Sequence, residues 1–239
     1  WYLHVSRFLV IDSVFSFFVV LSLYLFYLAN SGTKHSVVYY QGFYAAVALA
    51  FLAKGILALI LPGLAILLYA LWTRQWMRLL KESRLLQGLF IFLLIAGPWF
   101  AWMSLHKPDF WNVFFVREHL SRFVAQDFEH QEGWYFYPVL LIAFLSPWIL
   151  FPGVLRIAGT DVRKDGFKNP AAFLLLFIFS SLLFLSLSRS KLATYILPAI
   201  APFCVVLGAA WAGWVENSSR RLKIFFSFFF MMAAPASCR

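Results

Sequence analysis

VALAFLAKGILALILPGLAILLYAL, from Val47 to Leu71, carries a single charge, Lys54, and Ala53-Lys54-Gly55 is all that divides it into two apolar runs. A bilayer-crossing helix needs about 20 mainly apolar residues. With their flanks the two runs predict spans over 37–53 and 56–72, joined so tightly that the second must turn straight back on the first. Gly55 suits the tip of such a hairpin because glycine tolerates positive φ. Pro62 lies inside the second run, a position a membrane helix accepts because neighbouring groups re-satisfy the freed carbonyl.

Outward from this hairpin the same pattern recurs. Further apolar runs over 9–29, 86–105, 138–155, 171–187 and 192–214 predict spans, and 224–236 forms a shorter eighth. The chain is 63% hydrophobic and 13% charged, with a mean hydropathy of +0.80, which excludes an ordinary water-soluble domain. The expected fold class is an all-α polytopic transmembrane helix bundle of about 7–8 spans. Its organisation reads as four spans over 1–105, an external loop with an interfacial helix over 106–137, and the remaining spans over 138–239. The chain starts at Trp1, already close to the membrane, and ends in a polar AAPASCR tail, so it reads as a fragment. The first run lacks the small-residue cleavage site of a signal peptide. Cys204 falls in an apolar run and Cys238 in the tail, which argues against a disulfide framework. There is no internal repeat and no nucleotide-binding glycine pattern.

The net charge of +10 invites a nucleic-acid reading, but the distribution of charge describes topology. Lys and Arg in short loops mark the cytoplasmic side, and TRQWMRLLKESR sets Arg74, Arg78, Lys81 and Arg84 against Glu82 alone. With that loop inside, alternation puts Lys34, Arg156, Arg163, Lys164, Lys168, Arg220, Arg221 and Lys223 inside as well. The outer side keeps Arg7, Lys54, Lys107, Arg117, Arg122, Arg189 and Lys191, together with most of the acids.

On that outer side lies HKPDFWNVFFVREHLSRFVAQDFEHQEGWYFY, His106 to Tyr137, the one long stretch neither apolar enough to span nor simply basic. FWNVFFVREHLSRFV has apolar residues at helical spacing with charges opposite, as in a helix lying in the interface. Arg117, Glu118, His119 and Arg122 would then sit at headgroup level. Glu118 and Arg122 also form an i,i+4 pair, a structural reading worth about 0.2–0.5 kcal/mol. Glu129, His130 and Glu132 offer imidazole and carboxylate for a possible divalent metal; equally, they compose a solvated acidic turn.

Four more positions carry alternatives. Asp12, at the outer end of the first span, marks a functional cavity or an interfacial acid favoured by a helix N-terminus. Lys54 is a snorkelling lysine or a point charge for a phosphate. Arg189 and Lys191 share a tight outer connector, and Tyr195 follows Lys191 by four residues, so on a helical start to the next span the two share a face. They form a snorkelling pair or, with Arg189, a cationic site for a phosphate headgroup. Alternation brings all of these to one face, and an acid, several cations and an aromatic-rich loop beside lipid tails suit an amphipathic anionic ligand such as a lipid phosphate.

RFLVID (Arg7–Asp12), LAKG followed by LILPG (Leu52–Gly63), REHLSRF followed by DFEHQEGWYFY (Arg117–Tyr137) and SRSKLATYILP (Ser188–Pro198) resemble, in this order, the bacterial GT-C membrane glycosyltransferases related to protein mannosyltransferases, and within them the aminoarabinose transferases that modify lipid A. The resemblance covers nearly the whole chain to about residue 215. It implies a transferase that takes a sugar from a polyprenyl (undecaprenyl) phosphate carrier and passes it to lipid A, a glycan or a protein at the periplasmic face of the bacterial inner membrane. By the same resemblance Asp12 lines the catalytic cavity; Lys54, Arg122, Arg189, Lys191 and Tyr195 serve the carrier phosphate; and Glu118, His119 and His130 belong to the external loop. Ala193 stands where the family usually has proline. The family's principal acidic pair lies upstream of anything in this chain, so the fragment alone is expected to be inactive. Two other classes remain open from the residues: a lipid or solute transporter, which would place ionisable groups near mid-bilayer in paired halves, and a non-catalytic assembly subunit whose external loop docks a partner.

Overall fold

The computed structural model describes residues 11–114, 132–146, 169–188 and 191–217. Among these residues every regular element is helical. The elements are α1 (Ile11–Asn30), α2 (Ser36–Lys54), α3 (Leu57–Thr73), α4 (Trp76–Glu82), α5 (Leu85–His106), α6 (Phe136–Leu145), α7 (Pro170–Leu187), a 3-10 turn (Ala193–Ile196) and α8 (Leu197–Asn217).

Five stretches are long and apolar enough to cross a bilayer: α1, α2, α5, α7 and Ala193–Ala212. The shorter α3 is apolar throughout. This is a multi-pass membrane protein. α1, α2, α3, α5 and α7 keep to the predicted spans within a residue or two, whereas α8 begins at Leu197 and runs to Asn217 against the predicted 192–214; 224–236 and the second half of 138–155 lie outside the described residues.

The inward faces follow helical periodicity. In α1, Phe15, Val19, Ser22, Leu23, Phe26, Ala29 and Asn30 are buried, spaced three and four apart as one stripe requires. Phe26 stacks on Phe173 of α7 at 5.8 Å and meets Phe43 of α2 at 5.5 Å. Phe173 in turn meets Tyr69 of α3 at 5.3 Å, so four helices share one aromatic knot. On α2 the buried Ala46, Ala48 and Ala50 let backbones approach closely, the usual means of helix association in lipid. Outward, Leu86, Phe90 and Leu94 of α5 are more than 60% exposed; such a face belongs against acyl chains rather than water.

Proline and glycine act as expected. α3, α5 and α8 continue through Pro62, Pro98 and Pro202. Gly55 breaks the hairpin with φ 71°, its N–H donating to the Phe51 carbonyl at 2.7 Å. Asn169 caps α7, accepting from the Ala172 N–H at 3.2 Å, with Pro170 in the first turn. Two features differ from the sequence reading. The basic loop contains a helix, α4, held by the buried Leu79 while Trp76, Met77 and Leu80 remain exposed. The connector before α8 stays extended through Leu192 (φ −117°, ψ 137°) and coils first as a 3-10 turn.

Candidate functional site

The first turn of α1, the last turn of α2 and the 3-10 turn before α8 meet at one end of the bundle. Asp12 comes from α1, where an acid in the first turn suits the positive end of the helix dipole. Lys54 comes from the last turn of α2, where a cation suits the negative end. The two form an ion pair, with side chains 12% and 15% exposed. The Lys54 ammonium lies 3.9 Å from the centroid of the Tyr195 ring and 5.4 Å from that of Phe15, cation–π distances that add to its attachment. Gly55 makes this possible: by turning sharply behind Lys54 it leaves the side chain at the rim rather than in the helix body.

A second cation sits close by in the chain. Lys191 is 5% exposed. Its ammonium donates to the Glu132 carbonyl at 2.8 Å and the Ser188 carbonyl at 2.5 Å, tying the segment before α6 to the end of α7. The Tyr137 hydroxyl donates to the Leu192 carbonyl at 3.2 Å, tying α6 to the connector that carries Tyr195. Burial pushes the Lys191 pKa below the ordinary lysine value, while the nearby Glu132 charge opposes that shift.

Asp12, Lys54 and Tyr195 therefore come together, and Lys191 lies four residues from Tyr195. The expected shared face of Lys191 and Tyr195 is not observed. Because the backbone at Leu192 is extended, the two side chains diverge, Tyr195 to Lys54 and Lys191 to backbone carbonyls. Glu118, His119, Arg122, His130 and Arg189 lie outside the described residues, as does most of the expected interfacial helix. Of the metal candidates only Glu132 is described, and among the described residues no three His, Cys, Asp or Glu side chains gather as a metal site would need. Sequence reading missed Tyr137 and the carbonyls of Glu132, Ser188 and Leu192. For the carbonyls no signal exists, since every residue carries one; for Tyr137 the aromatic run GWYFY was the only hint.

Chemically, the end of the bundle offers two cations held in a low-dielectric setting, one paired with an acid and one engaged by carbonyls. An ammonium has three donors, so each can take a phosphate oxygen without giving up all its protein contacts. Such cations act most strongly where water is excluded.

The fold and site define a class: polytopic helical membrane proteins with a sheltered acid–lysine pair at one end of the bundle. Residues 1–102 match the profile of the dolichyl-phosphate-mannose-protein mannosyltransferase family. An undecaprenyl phosphate-alpha-4-amino-4-deoxy-L-arabinose arabinosyl transferase of Pseudomonas fluorescens is 37% identical over 203 residues, covering 84% of this chain and 34% of that protein. The enzyme of the same name from Pseudomonas aeruginosa is also 37% identical over 203 residues, covering 84% of this chain and 36% of its own length. The crystal structure of ArnT from Cupriavidus metallidurans bound to undecaprenyl phosphate superposes with a TM-score of 0.77 at 26% identity, over 95% of this chain and 40% of that one. This chain belongs to the GT-C family of membrane mannosyl- and aminoarabinosyl-transferases. It spans roughly a third of the length of the curated relatives it matches.

Proposed function

We propose that the protein to which these residues belong transfers a sugar from a polyprenyl-phosphate carrier to an acceptor such as lipid A, at the periplasmic face of the bacterial inner membrane. The observation that carries this reading is the convergence of Asp12, Lys54 and Tyr195, from three separate elements, on one end of a membrane bundle. A transporter would instead want its charges near mid-bilayer, whereas these lie at helix termini.

In this reading Lys54 and Lys191, with Arg122 and Arg189 from the neighbouring segments, neutralise the departing carrier phosphate. Charge stabilisation of that kind is usually the largest catalytic contribution. Asp12 holds Lys54 in place while the pocket is empty, and positions the acceptor once phosphate has drawn the ammonium away. Glu118, His119 and His130 contribute from the loop over 106–137, which lies between the membrane segments 1–105 and 138–239. A phosphate acceptor needs little general-base assistance; a hydroxyl acceptor requires a base.

The test is direct. Purified full-length protein is incubated with undecaprenyl-phosphate aminoarabinose and lipid A, and lipid A is weighed by mass spectrometry. A mass gain of one pentosamine, lost in Lys54→Ala and Lys191→Ala proteins that still express and fold, supports the reading. Carrier binding without transfer to lipid A moves the acceptor to a glycan or protein, and failure to bind the carrier at all removes the proposal.

A further inference from the structure

Between α2, α3 and α5 a groove of about 510 Å³ opens, running from the first turns of α3 to the start of α5. Its walls include Tyr44, Leu59, Gly63, Leu85, Gly88 and Phe92, with no charged side chain among the lining residues. On α5 the lining residues run from Leu85 to Phe92, about 10 Å along a helix, within the depth of one leaflet of the hydrocarbon core, about 15 Å. The groove thus has room for part of one acyl chain. Its shape is kept by a close approach: the Tyr44 ring lies over Gly88, where a Cβ would come within 2.3–2.4 Å of ring atoms, and the Tyr44 hydroxyl donates to the Ser83 carbonyl at 2.7 Å.

The segment that leads into the groove wall is basic. Leu85, in its wall, directly follows Arg84, and the surface segment leading to it carries Arg74, Arg78 and Lys81. All four are exposed. Arg78 pairs with Glu82 at 2.9 Å, leaving Arg74, Lys81 and Arg84 as the net charge. Arg74 and Arg84 hold positive φ, 56° and 51°, a conformation uncommon for residues other than glycine. Both ends of α4 therefore keep a long cation where Gly or Asn would fit the backbone more easily. Exposed Trp76, Met77 and Leu80 beside them are suited to the membrane interface.

We propose that this groove binds one anionic phospholipid of the leaflet on its own side, an acyl chain lying along Tyr44, Gly63 and Phe92 and the phosphate resting on Arg74, Lys81 and Arg84. Charge complementarity selects the lipid: clustered Lys and Arg just outside a membrane span attract anionic headgroups. The site is separate from the Asp12–Lys54 pocket, and it stands or falls independently of sugar transfer.

The test uses the full-length protein in non-ionic detergent, titrated with phosphatidylglycerol and with phosphatidylcholine of the same acyl length and read by native mass spectrometry. One phosphatidylglycerol is expected to stay bound at a concentration at least about tenfold lower than phosphatidylcholine. Each of Arg74→Gln, Lys81→Gln and Arg84→Gln should reduce that preference about fivefold, and Arg78→Gln, whose cation is already paired, far less. Gly63→Leu adds bulk to the groove from an open position, since nothing lies within 4 Å of its Cβ. It should abolish retention while the lipid-free melting temperature holds. Gly97→Leu, equally unobstructed but outside the groove, should retain the lipid. Equal retention of the two lipids, or unchanged retention in Gly63→Leu, overturns the proposal.

Discussion

Lys54 is the partner that makes a buried Asp12 tolerable and, in the proposed reaction, the cation offered to the carrier phosphate, and these two roles predict different things. Removing one member of a buried ion pair strands the other and costs about 3–5 kcal/mol, whereas removing both can be nearly neutral. Lys54→Met should therefore lower thermal stability and abolish transfer. Adding Asp12→Asn to it should restore most of the stability and none of the transfer; a double variant that regained activity would leave the pair a purely structural device. Lys191 gives a second prediction, in pH. Burial lowers its pKa, so the folded protein loses this charge at a pH where an unfolded lysine still keeps it. Carrier-phosphate binding should then weaken as pH rises, beginning below 10.5. In the same window the unfolded state binds more protons, so stability relative to Lys191→Met should rise with pH. Opposite trends of binding and stability, with the alkaline loss of binding absent in Lys191→Arg, are the signature; parallel trends would remove Lys191 from the phosphate site. Asp12, Lys54 and Lys191 stand out as candidates in the sequence because charge beside apolar runs is conspicuous, and Tyr195 because it follows Lys191 by four residues. That Asp12 pairs with Lys54 was not, since 42 positions separate them and only the packing of α1 on α2 brings them together.

Elements were the most legible level, because twenty apolar residues in lipid have few choices. The exceptions have local causes. α4 was hidden because seven residues dense in charge read as a loop; one buried contact, Leu79, is what fixes it. The 3-10 turn was hidden because Lys191 and Tyr195 fit helical spacing equally well, and nothing in SKLATY announces an extended Leu192. Hairpin glycines carry the prediction at this scale. Gly32, between α1 and α2, and Gly55, between α2 and α3, both hold positive φ, 78° and 71°. Replacing either by Ala should cost about 1 kcal/mol or somewhat more in stability, seen as a comparable fall in melting temperature. Only Gly55→Ala should also weaken carrier binding, because it displaces the neighbouring Lys54 from Asp12 and the Tyr195 ring. Equal loss of binding in the two variants would mean that the turn at Gly55 does not position the site.

At the scale of the molecule the two ends of the bundle differ in kind. One brings Asp12, Lys54 and Tyr195 into contact, with Lys191 buried on backbone carbonyls; the other spreads Arg74, Arg78, Lys81 and Arg84 over an exposed surface. An exposed basic surface is the pattern retained on the cytoplasmic side, so the proposed reaction requires the Asp12–Lys54 pair to lie on the far face. The order of the helices could be read from the alternation of apolar runs; the pairing of Asp12 with Lys54 beside the Phe15 and Tyr195 rings could not, because it depends on how α1, α2 and the connector before α8 pack. Orientation is testable without any assay of activity. A single cysteine placed at Lys81, on the exposed basic surface, should react with a membrane-impermeant maleimide only after the inner membrane is opened. One placed at Trp134, which is 74% exposed beside the pocket, should react in intact spheroplasts. Cys204, in an apolar span, and Cys238 are replaced by serine beforehand. The reverse labelling would turn the charged pocket toward the cytoplasm, and transfer to an acceptor on the periplasmic face would then have no site from which to occur.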